Sequence, residues 1–201
     1  MDIRRSLRAL AKAHPAIAKA LDTVGFPASR QREHSFESLA RIVIGQQLSV
    51  KAAATIAGRV DVVLGGAVTP ERILAAAPEV LRGAGLSHQK IGYLQSLADA
   101  VASGALSLAE LPACSDEEVE NAITAVRGFG RWSAHMYMMF ALGRPDVWPS
   151  GDLAVRVGFG RMMEWPERPS EERVISEGKA FAPHRSALAL LCWHFYSEAP
   201  L

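Results

Sequence analysis

Helix-start signals recur along the sequence, and each is followed by apolar residues at helical spacing. Ser115 and Glu118 form a capping box, after which Val119, Ile123 and Val126 lie four and three residues apart. Three more serines precede apolar patterns of this kind, over residues 36–44, 50–64 and 88–101: Ser35, Ser49 and Ser87. The sequence contains no alternating pattern of strand length. These features predict an all-α protein.

The composition limits the classes to which the chain can belong. Its 201 residues, 49% of them hydrophobic, suffice for one core or for two lobes that share a core. The sequence has no run of about 18 apolar residues that would span a membrane, and residues 1–12 lack the pattern of a secretory signal. Two cysteines are too few for a disulfide framework or an iron–sulfur cluster. We therefore expect a cytoplasmic protein without a membrane partner.

A short turn with two glycines is the most informative local motif. The predicted helix that ends near Val126 leads into Gly128-Phe129-Gly130, and a mostly apolar helix is predicted over Arg131–Leu142. The glycines permit positive φ and close approach of a ligand, and the N–H groups at the start of the second helix can bind an anion. A phosphate held there would be bound without regard to base sequence. A plain helix–turn–helix corner with a glycine C-cap is the alternative.

A proline-containing loop follows the second helix of this turn. Residues 144–151 include Pro145, Pro149 and Gly151, which make a rigid connection and a natural boundary between lobes. A further helix is predicted to begin at Asp152, where a carboxylate is a favoured N-cap and is stabilised by the helix dipole. A capping aspartate and a functional aspartate are compatible at this position.

Taken together, these motifs resemble those of the helix-hairpin-helix (HhH-GPD) DNA glycosylase superfamily. The helix, the Gly-hydrophobe-Gly turn, the exit helix and, about twenty residues later, the aspartate follow the family's order. Within the superfamily, the chain is similar to the DNA-3-methyladenine glycosylase II (AlkA-like) group. Four segments carry this similarity and extend it over about residues 35–197: Ile42–Ser49, Gly85–Leu94, Asp146–Leu153 and Pro183–Ser186.

The resemblance implies an architecture of two helical lobes with an active-site cleft between them. One lobe is expected at residues 36–143, with the helix-hairpin-helix at about 115–142, and the other at residues 1–35 with 144–201. The full-length bacterial enzymes of this group have an additional N-terminal β-rich domain, which this sequence lacks. We therefore expect a compact variant, and a monomer.

The resemblance also implies an activity. It is that of a monofunctional DNA glycosylase, which flips an alkylated purine of the 3-methyladenine or 7-methylguanine type out of double-stranded DNA. The enzyme then removes the base by hydrolysis, in base excision repair. The carboxylate of Asp152 would stabilise the oxocarbenium-like sugar and orient or deprotonate the attacking water. Asp146, in the same loop, is the fallback candidate.

Position 132 distinguishes two kinds of family member. Bifunctional members carry a lysine there, which forms a Schiff base with the sugar and leads to strand cleavage. This sequence has Trp132 instead, and neither neighbour, Arg131 or Ser133, can form that intermediate. We therefore expect hydrolysis without lyase activity.

Five side chains are candidates for the pocket that receives the flipped base. Aromatic faces attract electron-poor alkylated bases by stacking and by cation–π interaction. Trp132 and Trp193 occupy aromatic pocket positions of the group, Met136 aligns with the group's tyrosine, Tyr137 lies one residue further, and Trp148 completes the set. For any one ring considered alone, packing in the core is the more common explanation.

The resemblance also places the contacts to DNA. Phosphate would bind at the hairpin and at one lysine of the middle segment, through these residues: Gly128, Phe129, Gly130, Arg131, Ser133 and Lys90. A wedge that fills the gap left by the flipped base would come from Gln46, Gln47 or Leu48. Chemistry favours Leu48 and register favours Gln47, whereas a helix-end turn with Leu48 in the core is the alternative.

No cofactor is required by the expected reaction. The family's hairpin holds a monovalent cation, Na⁺ or K⁺, through main-chain carbonyls, and the corresponding residues here are Thr124, Val126 and Phe129. The six histidines show no spacing typical of a transition-metal site.

Three other functions are alternatives at this point. A non-catalytic helix-hairpin-helix DNA-binding module would not need an aspartate in the family's register. A bifunctional lyase that acts on other damaged bases would need a lysine in place of Trp132. A general helical interaction domain would not bind DNA that contains an abasic analogue. The formal net charge of +1 does not separate these alternatives.

Overall fold

The structure is a computed structural model and describes residues 1–199. All regular secondary structure within these residues is helical, which confirms the predicted all-α class. The described helices are, in chain order, α1 Ile3–Ala13, α2 Pro15–Val24, α3 Phe36–Gly45, α4 Val50–Val63, α5 Pro70–Ala75, α6 Pro78–Gly83, α7 His88–Ala102, α8 Asp116–Thr124, α9 Arg131–Phe140, α10 Leu153–Met162, α11 Glu171–Gly178, a 3₁₀ turn Lys179–Phe181, and α12 Arg185–Glu198. In this part of the chain no helix is long and apolar enough to cross a membrane.

The chain forms two compact units. One consists of residues 32–142, and the other consists of residues 1–31 together with the chain from Gly143 onward. The first unit carries α3 to α9, and the second carries α1, α2 and the helices from α10 to α12. The predicted lobes are residues 36–143 and residues 1–35 with 144–201. The boundary predicted before residue 36 thus lies four residues after the observed one, and the boundary predicted after residue 143 lies one residue after the observed one.

Serine caps begin four helices of the 32–142 unit, as predicted. The hydroxyl groups of Ser35, Ser49, Ser87 and Ser115 each accept a hydrogen bond from the main-chain N–H three residues later. The carboxylate of Glu118 accepts the N–H of Ser115 at 2.7 Å, which completes the capping box. Each cap satisfies an N–H without a partner inside the helix and contributes about 1 kcal/mol.

The apolar stripes of these helices form the core of the 32–142 unit. The stripe of α8 is buried at Val119 and Ile123, and that of α7 at Ile91 and Leu94. Most of α9 is inaccessible to solvent, including all of residues 136–139. Two short helices, α5 and α6, were not predicted, because six residues form fewer than two turns and show no apolar period.

In the other unit, α10 and α12 pack at very close range. A Cβ on Gly158 would lie 2.2 Å from the main-chain oxygen of Cys192, so only glycine permits this approach. The buried ring of Phe159 meets Trp148 edge-on, with the ring centroids 5.4 Å apart, and the Trp148 indole donates to the oxygen of Val174 at 2.9 Å. These contacts bury Trp148 among the helices of this unit, and its part in a base pocket stays a prediction.

Candidate active site

Asp152 lies where a loop meets the start of α10. Its Oδ1 accepts a hydrogen bond from the N–H of Val155 at 2.9 Å, which confirms the predicted N-cap. The same oxygen accepts the indole N–H of Trp193, on α12, at 3.0 Å. Donors from two helices therefore fix the carboxylate, and the dipole of α10 favours its negative charge.

The loop that precedes Asp152 is anchored to the start of α12. The buried hydroxyl of Ser186 accepts the N–H of Val147 at 2.9 Å. Asp146 accepts two hydrogen bonds from the guanidinium of Arg185, at 2.9 and 2.7 Å, and one from its N–H at 3.2 Å. Although burial alone would raise the pKa of Asp146, its bonds to Arg185 lower it. Asp146 is therefore engaged by Arg185 at the start of α12, and its role as the fallback catalytic acid stays a prediction.

Trp193 brings an aromatic ring to the Asp152 carboxylate. Only 9% of its surface is exposed. The guanidinium carbon of Arg30 lies 5.7 Å from the ring centroid, within the range of a cation–π interaction. A ring that holds the acid and also attracts a cation is chemically suited to the predicted contact with a positively charged base.

The Gly128-Phe129-Gly130 turn between α8 and α9 uses its two glycines differently. Gly128 has a φ of +94°, and a Cβ there would lie 2.1 Å from the ring of Tyr93. Gly130 has a φ of −106°, and no heavy atom lies within 4 Å of the position of its Cβ. The predicted positive φ therefore applies to Gly128 alone, while Gly130 leaves open space at the start of α9. The Phe129 side chain is buried.

The first turn of α9 has the geometry of an anion site. Its N-cap, Gly130, has no side chain that could occupy the main-chain N–H groups. The exposed Arg131 side chain donates from Nε to Glu120 at 2.9 Å. The Ser133 side chain is buried, so only the main-chain N–H of this residue could make the predicted contact with phosphate.

Glu120, on α8, holds two side chains of α9. Its second oxygen accepts a hydrogen bond from Nε2 of His135 at 3.1 Å. Although burial alone would raise the pKa of Glu120, the hydrogen bonds and charges of Arg131 and His135 lower it. Burial lowers the pKa of His135, Glu120 and Asp116 oppose this effect in part, and Arg131 adds to it.

The neutral His135 gives the stability of the fold a pH dependence. The histidine of the unfolded chain has the higher pKa, so the unfolded chain takes up a proton first as the pH falls below about 6.5. The free energy of unfolding is therefore unaffected by the titration of His135 above that pH, and it decreases as the pH falls from there through the lower pKa of the folded protein. We expect the decrease in Tm between about pH 7.5 and about pH 5.5 to be smaller for His135→Gln than for wild type. His88→Gln, at an exposed position, is the control. Equal decreases in wild type and His135→Gln would contradict this expectation.

The remaining predicted pocket residues separate into an exposed ring and two buried side chains. Trp132, in the first turn of α9, is 39% exposed. Tyr137 is fully buried, and its hydroxyl donates to Nδ1 of His34 at 2.9 Å. Met136 is also buried, because α9 packs against both α3 and α8. Tyr137 and Met136 are therefore buried within the 32–142 unit, and their part in a base pocket stays a prediction.

The three predicted wedge residues connect α3 to α4 and have different environments. The amide Nε2 of Gln46 donates to the main-chain oxygen of Gly128 at 2.9 Å and to Oγ of Ser133 at 3.2 Å. Gln47 is exposed with a φ of +57°, and Leu48 is 39% exposed. The core alternative for Leu48 is therefore wrong, and the amide of Gln46 is directed to the hairpin rather than to solvent.

The ammonium of Lys90 is also engaged within the protein. It donates to the main-chain oxygens of Ile44 at 2.7 Å and of Gln46 at 2.8 Å. Burial lowers the pKa of this ammonium. The sequence predicted a contact of Lys90 with DNA phosphate. In the structure its charge lies at the C-terminal end of α3 and binds main-chain oxygens there.

The carbonyl groups predicted to hold a cation lie around the end of α8. Thr124 is the last residue of the helix, and Val126 and Phe129 follow it. The oxygen of Val126 accepts the N–H of Phe129 at 3.1 Å and retains a second lone pair. Hard cations prefer oxygen ligands and the dipole favours a cation at a helix C-terminus, so these carbonyl groups are of a suitable chemical kind, and the monovalent cation stays a prediction.

Two residues of the site carry no local sequence signal for their function. Tyr93 contacts Gly128, and Glu120 joins Arg131 to His135. Such contacts between distant residues leave no periodic pattern, and only the place of Tyr93 in a segment of family resemblance pointed to it.

Known proteins match the chain over most of its length. The sequence model of the HhH-GPD superfamily of base excision DNA repair proteins matches residues 40–183. The chain is 35% identical to DNA-3-methyladenine glycosylase 1 of Schizosaccharomyces pombe over 168 residues, which cover 82% of this chain and 74% of the relative.

Solved structures of similar proteins share the fold. The 3-methyladenine DNA glycosylase of Schizosaccharomyces pombe in complex with abasic DNA has a TM-score of 0.86 and 32% identity, over 94% of this chain and 95% of that chain. The DNA-3-methyladenine glycosidase of Bacillus halodurans has a TM-score of 0.80 and 33% identity, over 96% of this chain and 88% of that chain. With the family model covering more than half of its residues, the chain belongs to the HhH-GPD superfamily of base excision DNA repair proteins.

Proposed function

We propose that this protein is a monofunctional DNA glycosylase that excises alkylated purines from duplex DNA by hydrolysis. The proposal rests on Asp152, whose carboxylate is fixed by Val155 and Trp193 at the position that the resemblance assigns to the catalytic acid. Relatives named as DNA-3-methyladenine glycosylases support this substrate class. Trp132, in the place of a lysine, supports hydrolysis over lyase chemistry.

The chemistry follows from what a fixed carboxylate can do. When the bond between the sugar and the purine breaks, its electron pair leaves with the base and positive charge develops on the sugar. A negative charge already in place stabilises that transition state without reorganisation. The carboxylate also orients or deprotonates the water that adds to the sugar carbon, and the product is an abasic site.

The charge of the alkylated base accounts for the proposed selectivity. Methylation at N3 or N7 gives a purine a positive charge, which weakens its bond to the sugar and favours stacking on aromatic rings. The exposed indole of Trp132 offers such a ring in the 32–142 unit. In the other unit, Trp193 positions Asp152 and attracts the guanidinium of Arg30.

The hairpin is the proposed phosphate-binding element. The main-chain N–H groups at the start of α9 and the open space at Gly130 suit an approaching phosphate. A Na⁺ or K⁺ ion held by the carbonyls of Thr124, Val126 and Phe129 would supply further positive charge. The exposed tip, Gln47 and Leu48, is the proposed wedge. A monomer keeps these surfaces open to DNA.

Base release from methylated duplex DNA tests the proposed function. We expect the protein to release 3-methyladenine and 7-methylguanine, to leave undamaged duplex intact, and to give strand breaks only after alkali treatment. Breaks without alkali would show lyase chemistry instead. Tight binding to abasic DNA without release of any base would show a non-catalytic binding module.

A further inference from the structure

Lys90, Gln46 and the hairpin form one chain of hydrogen bonds within the 32–142 unit. Lys90 Nζ donates to the main-chain oxygens of Ile44 at 2.7 Å and Gln46 at 2.8 Å. Gln46 Nε2 donates to the oxygen of Gly128 at 2.9 Å and to Oγ of Ser133 at 3.2 Å. These four hydrogen bonds, here called the brace, join the end of α3 to both sides of the Gly-Phe-Gly turn.

The position of Lys90 indicates what its charge does. The residue stands in the first turn of α7, where the helix dipole disfavours a cation. Its ammonium is nevertheless partly buried against the last carbonyls of α3, where the dipole favours a cation. The ammonium therefore fixes the C-terminal end of α3.

Gln46 extends this contact to the hairpin. Both hydrogens of its amide nitrogen are used in the bonds to Gly128 and Ser133. The first bond holds the main chain of Gly128, whose φ of +94° already fixes the shape of the turn. An amide committed in this way cannot also enter a base stack.

The next residue, Gln47, has a main-chain conformation that costs energy. Its φ of +57° is disfavoured for a residue with a side chain, by about 1 kcal/mol or more. The Gln47 side chain is exposed, and the preceding main chain is held by the bond from Lys90 to the oxygen of Gln46. Strain of this kind persists only where the surroundings enforce it and is common at functional sites.

We propose that Gln46 and Lys90 are positioning residues, which hold the tip, Gln47 and Leu48, at a fixed place relative to the hairpin. Phosphate bound at the hairpin then presents the tip to the base stack without a further search for its conformation. Gln46 acts through the tip, and Lys90 acts through the main chain of Gln46. The inference rests on the proposed DNA-binding function and adds two residues that need not touch DNA.

A double-mutant cycle between the brace and the tip tests this inference. Gln46→Met removes the two donors at nearly constant volume, and Gln47→Ala with Leu48→Ala truncates the tip. The readouts are fluorescence of 2-aminopurine opposite an abasic analogue in duplex DNA and single-turnover base release from methylated duplex. We expect Gln46→Met to lower the extent of unstacking and to slow release about tenfold with the intact tip, and about twofold or less with the truncated tip.

Matched variants separate positioning from general stability. Lys90→Met is expected to behave as Gln46→Met does, and Lys90→Arg to restore part of the unstacking because it retains N–H donors. Gln95→Met makes the same chemical change on α7 outside the brace and is expected to leave both readouts unchanged. The Tm of every variant is also measured. A loss of stability alone would lower both readouts by the same factor with the intact tip and with the truncated tip.

Equal fold-losses in the intact and truncated backgrounds would overturn the inference, because Gln46 would then act independently of the tip. If Gln46→Met does not fold, Ser133→Ala, which removes one acceptor of the brace, replaces it with the same two outcomes. Unstacking requires DNA binding but no base release. If the protein unstacks DNA but releases no base, the proposed glycosylase function is wrong, and the fluorescence readout still tests the role of Gln46 and Lys90. Absence of DNA binding overturns both proposals.

Discussion

Asp152→Asn is expected to slow base release from methylated duplex by about 10²- to 10⁴-fold, with little change in Tm. The amide oxygen of asparagine can accept the same hydrogen bonds from Val155 and Trp193. Asparagine also caps a helix about as well as aspartate does. The substitution therefore removes the negative charge and keeps the geometry. Single-turnover release and thermal unfolding, measured on the same preparation, check both parts.

Asp146→Asn is the matched control for this substitution. It removes a carboxylate from the same loop, but one that is bound to Arg185. We expect it to lower Tm and to leave the rate of base release close to that of wild type. If Asp146→Asn lost base release and Asp152→Asn retained it, the catalytic carboxylate would be that of Asp146, and the role proposed for Asp152 would be wrong.

Gly128→Ala is expected to destabilise the protein by about 3 kcal/mol or more. The φ of +94° is unfavourable for any residue with a Cβ, and the new methyl would lie 2.1 Å from the ring of Tyr93. To remove this steric overlap, Tyr93 and the turn itself would have to shift, and the turn is also held by the hydrogen bond from Gln46 to Gly128. Urea unfolding, followed by circular dichroism, measures the loss.

Gly130→Ala makes the same chemical change two residues later, with a different expected result. No heavy atom lies within 4 Å of its Cβ position, so stability should fall by only about 0.5–1 kcal/mol, the cost of alanine at an N-cap. The methyl would enter the space proposed for phosphate, and we expect affinity for a duplex with an abasic analogue to fall about tenfold or more. Unchanged affinity would show that phosphate binds elsewhere, and equal stability of the two variants would exclude the Tyr93 contact as the reason for Gly128.

The functional groups discussed above share a position at helix ends. Asp152 and Gly130 are N-caps, and Gln46 is the C-cap of α3. Helix ends are where an all-α protein has main-chain N–H and C=O groups without partners inside the helix. These groups supply a donor to the Asp152 carboxylate and the acceptors that Lys90 binds, and they would supply the donors for the proposed phosphate. The chemistry of the site therefore arises from the ends of helices that the core holds in place.

Local sequence determined the helices and their beginnings. A serine cap followed by an apolar stripe specifies a helix and its buried face through interactions that span only a few residues, as at Ser115, Val119 and Ile123. For the same reason, the sequence indicated that Asp152 caps α10 and that a glycine turn joins α8 to α9. Residue identity alone also showed that position 132 offers no amine for a Schiff base.

The tertiary structure decided which of the candidate side chains are exposed and which are buried. The pattern of α9 does not show that Tyr137 is enclosed while Trp132 is exposed, because this depends on how α3 and α8 cover the helix. Nor do Gln46 and Lys90 reveal their partners, since Gly128 and Ile44 lie many residues away in the chain. A hydrogen bond depends on distance and direction in space, whereas a sequence pattern reports only on neighbours a few residues apart. The helices with a clear cap and an apolar stripe were therefore predictable, whereas the short helices α5 and α6 and the connections between helices required the folded protein.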